Sequence, residues 1–438
     1  MVKLAKVKLF GQTIGVLQWD ERRNSAQFEY SKEFASGQIE PSPLLMPLRQ
    51  GYVYSFPQLS LHTYKGLPGM FADSLPDTYG RAIFDRWLGL TGRTSSNPVE
   101  TLCFMGERCM GALEYEPAIG QETDSEALFE VSALVDAARE ALSGKKGFYA
   151  NLEKDRKMAI ADILRLGTSA GGQRAKALIA YNESTGDVRS GQIPAPDGFE
   201  YYLLKLDGVS GGTGLRETDN FGRLEYSFYL LAKECGVDMA GCSLLEENGR
   251  AHFMTKRFDR GNGRKLHMQT LCGIAHYDFG AIRTYSYEQA FGVMRRLHLT
   301  YAEASQMFRR VAFNVVMRNQ DDHTKNISFL MSENGKWTLA PAYDVGYAYN
   351  PSGLWTSTHQ MSVNGKFDDI NRKDLLELAS ANNVKNASEI IDCVCENAAK
   401  WPGIALNCGV PKDIVREISK NSFEKFNNDT HVNHYPGL

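Results

Sequence analysis

The sequence of 438 residues has no apolar run that approaches the roughly 20 residues a membrane-spanning helix requires. Its N-terminus also lacks the apolar segment of a secretory signal peptide. These two absences predict a cytoplasmic protein with no membrane partner.

The sequence also lacks a strong excess of charge of either sign. Its net charge is −3 and its pI is near 6.3, so no overall basic surface for nucleic acid is indicated, and only a local basic patch is left open. The eight cysteines are scattered, and only Cys393 and Cys395 are close in sequence, with one residue between them on a predicted helix. That spacing points the two side chains apart, so a zinc site is not expected. Because a secretory signal is lacking, buried reduced thiols are expected.

The most informative pattern that is present joins an Asp, an Asn separated from it by four residues, and another Asp beyond a short hairpin. Asp321 and Asn326 form the first part, and Asp344 follows the segments Ile327–Leu330 and Trp337–Ala340. Protein kinases use this arrangement: one Asp accepts the proton of the attacking hydroxyl, while an Asn and a further Asp hold divalent metal. Because phosphoryl transfer depends on positioning and charge neutralisation, the pattern indicates phosphotransferase chemistry.

The pattern departs from that of most kinases at two places. Asn319-Gln320 stands where His-Arg usually precedes the Asp, and Tyr343-Asp344-Val345 replaces Asp-Phe-Gly. The alternative interpretation is an Asp- and Asn-rich loop that caps a helix ending near Arg318.

Two upstream features meet further requirements of phosphate binding. The Gly-rich run Gly167–Arg174 has the composition of a phosphate-cradling loop, although Gln173 stands where a Walker loop carries Lys. Lys205 lies in the apolar strand Tyr201–Leu206, where a charged side chain is costly unless it is paired. Glu225, in the predicted helix that follows, is its predicted ion-pair partner. The alternative interpretation of the Gly-rich run is a plain turn. The alternative for Lys205 is a surface-facing position on an edge strand.

Two segments match a pattern of serine hydrolases. Gly167–Gly171 and Gly208–Gly212 both match G-x-S-x-G, but a nucleophile elbow needs a strand before the serine and a helix after it. The first segment follows a helix-like stretch and the second runs into further glycines, so neither context fits. A metal hydrolase built on His323, Asp321 and Asp344 is disfavoured because no second His stands at ligand spacing.

Three parts are predicted along the chain: a mixed N-terminal region at 1–115, a strand-rich region at 116–278 that opens with an acidic linker, and a mainly helical region at 279–438. A β-rich region ahead of a helical one is the two-lobed plan of kinases. The predicted elements are strands at Val7–Phe10, Ile14–Trp19, Ala26–Tyr30, Lys176–Tyr181, Tyr201–Leu206 and Ala251–Phe258, and helices after Ser74–Asp77, at Leu128–Leu142 and Leu224–Cys235, and after Thr300, Asn386 and Pro411.

The ordered set of motifs resembles the HipA family, the serine/threonine-kinase toxins of bacterial toxin–antitoxin pairs. The matching segments, in chain order, are Phe71–Asp77, Met110–Leu113, residues 167–176, Lys205, Lys256–Arg260, Asp321–Asn326 and Tyr343–Asp344. Each is weak alone, but their shared order over nearly the whole chain is specific. The resemblance implies an α+β, two-lobed, protein-kinase-like fold with a mixed N-terminal part and a mainly α C-terminal lobe.

The resemblance also implies roles for residues that bind ATP and Mg²⁺. Asp321 would be the catalytic base, assisted by Lys205 and Asn326, and the metal ligands would be Asn326 and Asp344. The implied nucleotide-binding residues are Ala170, Gly171, Gly172, Gln173, Arg174, Ala175, Lys205, Lys256, Arg257, Phe258, His323, Thr324, Lys325, Asn326, Tyr343 and Asp344, with Lys256–Phe258 as the hinge beside adenine. Family members phosphorylate their own Gly-rich loop and so stop their activity; the implied acceptor is Thr168 or the adjacent Ser169.

Partners follow from the same resemblance. A small helix-turn-helix antitoxin would bind the protein and DNA, so that contact with DNA is indirect. The protein substrate implied by the family is an aminoacyl-tRNA synthetase. The rival hypotheses are a catalytically inactive scaffold that acts as co-repressor with the antitoxin, and a small-molecule phosphotransferase. Retention of Asp321, Asn326, Asp344 and Lys205 favours the kinase over the scaffold.

Overall fold

The computed structural model describes residues 1–119, 128, 130–142, 175–191, 194–209, 220–261 and 263–426. The chain divides into two compact units. The first comprises Met1–Gly222, Ser243–Gln269 and Leu330–Lys336, and the second comprises Arg223–Cys242, Thr270–Phe329 and Trp337–Leu438. The described parts of ranges 1–115 and 116–278 thus fall mostly in one unit, and the three-part division stays a prediction.

An antiparallel five-stranded sheet forms the N-terminal part of the first unit. Its strands, in the order β4-β3-β2-β1-β5, are β1 (Leu4–Leu9), β2 (Gln12–Asp20), β3 (Ser25–Tyr30), β4 (Val53–Tyr54) and β5 (Leu113–Glu116). Ala5, Val7 and Leu9 alternate along β1 and are almost fully buried, which is the period-two pattern of a strand with one face in the core. The predicted hairpin and third strand are confirmed.

Five helices accompany this sheet: α1 (Lys32–Ala35), α2 (Leu61–Tyr64), α3 (Gly69–Ala72), α4 (Thr78–Leu90) and α5 (Pro98–Met105). The predicted helix after Ser74–Asp77 is α4. Asp77 begins it as a side-chain cap, because its Oδ1 accepts a hydrogen bond from the backbone N–H of Gly80 at 2.8 Å.

A second five-stranded sheet forms the rest of the first unit. Its order is β7-β6-β8-β10-β9, with β6 (Lys176–Tyr181), β7 (Val188–Ser190), β8 (Glu200–Lys205), β9 (Cys242–Glu247) and β10 (Arg250–Lys256). Helix α6 (Val131–Leu142) packs on it through Val131, Leu134, Val135 and Ala138. The predicted strands at Lys176, Tyr201 and Ala251 and the amphipathic helix are therefore confirmed, with shifted ends except at β6. A two-stranded ribbon of β11 (Arg260–Gly261) and β12 (Arg264–Lys265) follows.

The remaining elements are mostly helical. They are the helices α7 (Phe221–Glu234), α8 (Leu271–Ala275), α9 (Tyr287–Arg296), α10 (Tyr301–Met317), α11 (Arg372–Ala381), α12 (Ala387–Ala398), α13 (Trp401–Asn407) and α14 (Lys412–Asn421), and the short strands β13 (His267–Thr270), β14 (Tyr285–Ser286), β15 (Ser328–Met331), β16 (Trp337–Leu339) and β17 (Met361–Ser362). The core of the second unit joins α7, α10 and α13, where the ring of Phe228 lies 6.5 Å from that of Phe313 and 5.1 Å from that of Trp401.

Two further findings concern the whole of the described chain. Among its helices, none combines the length and the apolar character needed to cross a membrane. None of the eight cysteines, all of which lie in the described ranges, forms a disulfide; four are buried and four are partly exposed.

Candidate active site

The loop that carries the candidate base begins where helix α10 ends. Thr300 starts this helix with the predicted capping box, and Arg318 ends it in the left-handed conformation, at φ 52°. A left-handed residue after the last helical turn redirects the chain. The loop continues through Asp321 to a 3-10 turn, Thr324–Asn326, and strand β15 follows.

Asp321 has a carboxyl group whose pKa is raised above its ordinary value of 3.8. Partial burial is the largest cause, although 49% of the side-chain surface stays exposed. The negative charges of Asp344 and Asp322 raise the pKa further, and His323 opposes them, with its Nε2 atom 3.9 Å from a carboxylate oxygen of Asp321. The carboxylates of Asp321 and Asp344 are therefore close enough for their charges to interact.

Asn326 is oriented by a hydrogen bond to the same loop. Its side-chain Nδ2 donates to the backbone carbonyl of Asp321 at 2.7 Å, and its backbone N–H donates to the carbonyl of His323 at 2.9 Å. Because the amide nitrogen is used in this way, Oδ1 faces away from that carbonyl, and it makes no hydrogen bond within the described chain. An amide oxygen is a suitable ligand for Mg²⁺.

The other end of the hairpin returns to this loop through Tyr343. Its hydroxyl donates to the carbonyl of Lys325 at 2.6 Å and hydrogen-bonds the hydroxyl of Ser328. The backbone N–H of Ala340 also donates to the carbonyl of Ser328 at 3.0 Å. The residue before Asp344 thus contacts the residue before Asn326. Asp344 itself adopts a left-handed φ of 49°, which is uncommon outside glycine but tolerated by Asp.

These donors fit a hard divalent cation. Two carboxylates with interacting charges repel each other, and a cation between them would relieve that repulsion. Oxygen ligands from Asp and Asn are those that Mg²⁺ prefers. The predicted ligands Asn326 and Asp344 are thus compatible with Mg²⁺, and their role stays a prediction.

An aromatic side chain supports the remaining loop candidates. The ring of Phe279 lies 5.5 Å from that of His323, and the ammonium of Lys325 lies 4.5 Å from the centre of the Phe279 ring. Thr324 is buried, and its hydroxyl donates to the carbonyl of Tyr277 at 2.7 Å. Thr324 therefore fixes the loop, while His323 and Lys325 are held by an aromatic face that the sequence pattern did not indicate.

Lys205, the candidate phosphate-binding lysine, belongs to the first unit. It ends the central strand β8, where it lies opposite Lys176 of β6 and Phe253 of β10. Its ammonium is 5.6 Å from the centre of the Phe253 ring. The edge-strand alternative is wrong, because β8 has a strand on each side. Glu225 lies in the second unit, and its pairing with Lys205 stays a prediction.

The predicted hinge segment places its charged side chains in ion pairs. Arg257 is buried, and its guanidinium donates to Asp259 at 2.7 and 2.9 Å. Lys256 forms an ion pair with Glu200. These side chains are occupied by protein carboxylates, so any hinge contact to adenine would fall to the backbone. The roles of Lys256, Arg257 and Phe258 stay predictions.

Most of the Gly-rich loop lies outside the described residues. This applies to the candidates Ala170–Arg174 and to the predicted phosphorylation sites Thr168 and Ser169. Ala175 is described: it is fully buried, and its carbonyl accepts a hydrogen bond from the N–H of Leu206 at 2.9 Å.

Comparison with known protein families covers most of the chain. The model of the HipA-like C-terminal domain matches residues 168–401, and the model of the HipA N-terminal domain matches residues 5–116. Among solved structures, the Shewanella oneidensis MR-1 toxin–antitoxin complex of HipA, HipB and operator DNA matches with a TM-score of 0.67 at 15% identity. That match covers 99% of this chain and 100% of the other, and it confirms the predicted α+β, HipA-like fold.

The curated relatives match over only part of their length. A protein of Haemophilus influenzae, provisionally named a kinase, is 29% identical over 134 residues, which are 27% of this chain and 39% of the relative. The protein Y4mE of Sinorhizobium fredii, also provisionally named a kinase, is 27% identical over 125 residues, 26% of this chain and 30% of the relative. The chain therefore spans less than half of either relative.

Proposed function

Because the chain belongs to the HipA family, we propose that it is an ATP- and Mg²⁺-dependent protein serine/threonine kinase. In this proposal Asp321 accepts the proton of the attacking hydroxyl, and Asn326 and Asp344 hold the metal that accompanies ATP. Bound Mg²⁺ would neutralise the charge of the phosphates. Lys205 contributes a further positive charge toward those phosphates.

The observation that best supports the proposal is the return of the hairpin to the loop of the base. The charges of Asp321 and Asp344 interact, and the side chain of Asn326 is tied to the carbonyl of Asp321 at 2.7 Å. An Asp-rich loop that only caps a helix has no need of a second carboxylate brought back by a hairpin. Phosphoryl transfer does need one, because its charge must be neutralised in a fixed geometry.

The experiment that tests this proposal is phosphate transfer from labelled ATP. The full chain, first treated with phosphatase, is incubated with γ-labelled ATP and Mg²⁺, alone and with a lysate of its host. We expect label on serine or threonine of a protein, and we expect Asp321→Ala to reduce its rate by at least about 100-fold. Asp136→Ala is the control, because Asp136 is an exposed carboxylate of α6.

Each outcome separates the competing functions. No transfer by the dephosphorylated wild type would contradict the proposal and favour the inactive scaffold. Label found only in small molecules would favour a metabolite phosphotransferase. Mass spectrometry of the labelled chain would locate any phosphate on Thr168 or Ser169, the proposed sites of autophosphorylation. A phosphate on either residue would place as many as about two negative charges beside the site proposed for ATP, and would therefore inhibit ATP binding.

We further propose a small HipB-like helix-turn-helix antitoxin as partner, with DNA bound through that antitoxin. Its support is the match to the Shewanella complex, which contains HipB and operator DNA. An aminoacyl-tRNA synthetase is the proposed class of protein substrate, on the family resemblance alone. Phosphoproteomics after induced expression would identify the substrate directly.

A further inference from the structure

A buried carboxylate lies directly beside the candidate base. Asp322 is 3% exposed, and both of its oxygens accept hydrogen bonds. The hydroxyl of Tyr287 and Nδ1 of His359 each lie 2.8 Å from Oδ2, and the backbone N–H of Gln360 donates to Oδ1 at 2.7 Å. A carboxylate only accepts, so the proton of the His359 ring lies on Nδ1.

The network continues into helix α10 and the start of the loop. Asn314 donates from Nδ2 to the hydroxyl oxygen of Tyr287 at 3.0 Å, and Asn319 donates from its own Nδ2 to Oδ1 of Asn314 at 3.0 Å. Burial raises the pKa of Tyr287 well above its usual value, so this hydroxyl stays a donor at neutral pH. Asp322 is thereby joined to helices α9 and α10 and to the segment that follows Asp344.

One peptide group connects this network to the site. The carbonyl of Asp321 belongs to the peptide bond between Asp321 and Asp322, and it accepts the hydrogen bond from Asn326 Nδ2. The Cα atom of Asp322 belongs to the same peptide unit, and its side chain is held on the buried side by Tyr287, His359 and the N–H of Gln360. A rotation of this group would therefore displace the candidate base and the candidate metal ligand together.

We propose that Asp322 is a positioning residue that, through Tyr287 and His359, fixes the peptide group shared by Asp321 and Asn326. This inference rests on the proposed function and deepens it. Asp322 does not act on substrate itself, because both of its oxygens are occupied inside the protein. Because His359 hydrogen-bonds Asp322, the position of the candidate base Asp321 also depends on the chain segment that follows Asp344.

The test compares two isosteric changes of buried carboxylates. Asp322→Asn keeps the volume, but only its amide oxygen can accept, so it cannot serve both the Tyr287–His359 pair at one position and the backbone N–H of Gln360 at the other. The control is Asp374→Asn, because Asp374 is also 3% exposed, accepts from Lys366 at 2.9 Å, and lies in helix α11 outside this network. For Asp322→Asn we expect kcat to fall about 10- to 100-fold with the KM for ATP changed less than about threefold. For Asp374→Asn we expect no selective loss of kcat.

Hydrogen exchange supplies a readout that does not need activity. Backbone amides of residues 319–327 should exchange at least about 10-fold faster in Asp322→Asn and at the wild-type rate in Asp374→Asn. An unchanged exchange rate in Asp322→Asn, or an unchanged kcat in an active protein, would overturn the inference. If the wild type transfers no phosphate, the proposed function is wrong. The exchange result would still show whether Asp322 fixes the loop at 319–327.

A milder variant covers the case in which Asp322→Asn does not fold. Tyr287→Phe keeps the buried ring and removes one hydrogen bond to Asp322. It should raise exchange over residues 319–327 and lower kcat about fivefold, which corresponds to the net worth of about 1 kcal/mol for its hydrogen bond to Asp322. Wild-type values for both quantities in this variant would overturn the inference.

Discussion

At the scale of single residues, the carboxylate of Asp321 lies in surroundings that disfavour its negative charge. Partial burial and the charges of Asp344 and Asp322 raise its pKa above 3.8, and His323 offsets only part of this. A carboxyl group whose pKa is higher in the folded protein than in the unfolded chain destabilises the folded protein once the pH exceeds the pKa of the unfolded chain. The repulsion that would favour a bound cation therefore destabilises the metal-free protein.

Because the ionised carboxylate of Asp321 destabilises the metal-free protein, removing its charge should stabilise it. Asp321→Asn carries no charge at any pH, so without metal it should unfold at a higher temperature than the wild type at pH 7. The gain should be on the order of 1 °C, because half of the side chain is exposed and solvent screens its charge. As the pH falls through the raised pKa toward 3.8, the wild-type carboxyl becomes protonated and the difference should vanish.

Thermal unfolding in EDTA between pH 4 and 7.5 measures this difference. Asp136→Asn, which removes an exposed carboxylate of α6, should show no comparable pH-dependent gain. A lower unfolding temperature for Asp321→Asn at pH 7 would mean that the negative charge of Asp321 stabilises the folded protein, which would contradict this prediction.

At the level of structural elements, the buried carboxylate of Asp259 links two of the sequence motifs, those at 110–113 and 256–260. Asp259 is fully buried and accepts hydrogen bonds from Arg257, from Arg260 and, at 2.7 Å, from the backbone N–H of Gly111. These positive groups hold the pKa of Asp259 well below its ordinary range. Gly111 has φ 79°, and an added Cβ would lie 2.9 Å from the backbone nitrogen of Met268. The segment at 110–113 is therefore tied to the segment at 256–260.

The second prediction concerns the stability of this link. Asp259→Asn leaves Arg257 and Arg260 without their buried counter-charge, so it should destabilise the protein by about 3–5 kcal/mol at pH 7. Asp392→Asn is the control, because it breaks the largely exposed pair of Asp392 and Arg372 and should cost less than about 1 kcal/mol. Urea unfolding measures both values. Similar small losses for both variants would contradict the structural role of the Asp259 cluster.

Local signals predicted many elements, but not the contacts between distant ones. The capping box at Thr300 and the strand Lys176–Tyr181 could be predicted because neighbouring residues determine them. The helix start at Asn386 was predicted too, yet Asn386 has φ 55° and no side-chain cap. The hydrogen bonds of Asp322 could not be predicted, because its partners Tyr287 and His359 lie 35 and 37 residues away.

At the scale of the whole molecule, the candidate residues are divided between the two compact units. Lys205 belongs to the first, while Asp321, Asn326 and Asp344 belong to the second. The α+β, HipA-like fold could be predicted because the motifs occur in a fixed order along the chain, and the Shewanella match confirms it. The unit boundary could not be predicted, because it interrupts helix α7 and the hairpin of β15 and β16.

We propose that Asn326 and Asp344 hold the metal that accompanies ATP. Anomalous diffraction from crystals of the full chain, grown with Mn²⁺ and a non-hydrolysable ATP analogue, would locate that metal. We predict a manganese peak about 2.1 Å from Asn326 Oδ1 and from a carboxylate oxygen of Asp344, against the analogue's phosphates. Bound nucleotide whose metal contacts neither residue would show that Asn326 and Asp344 are not its ligands.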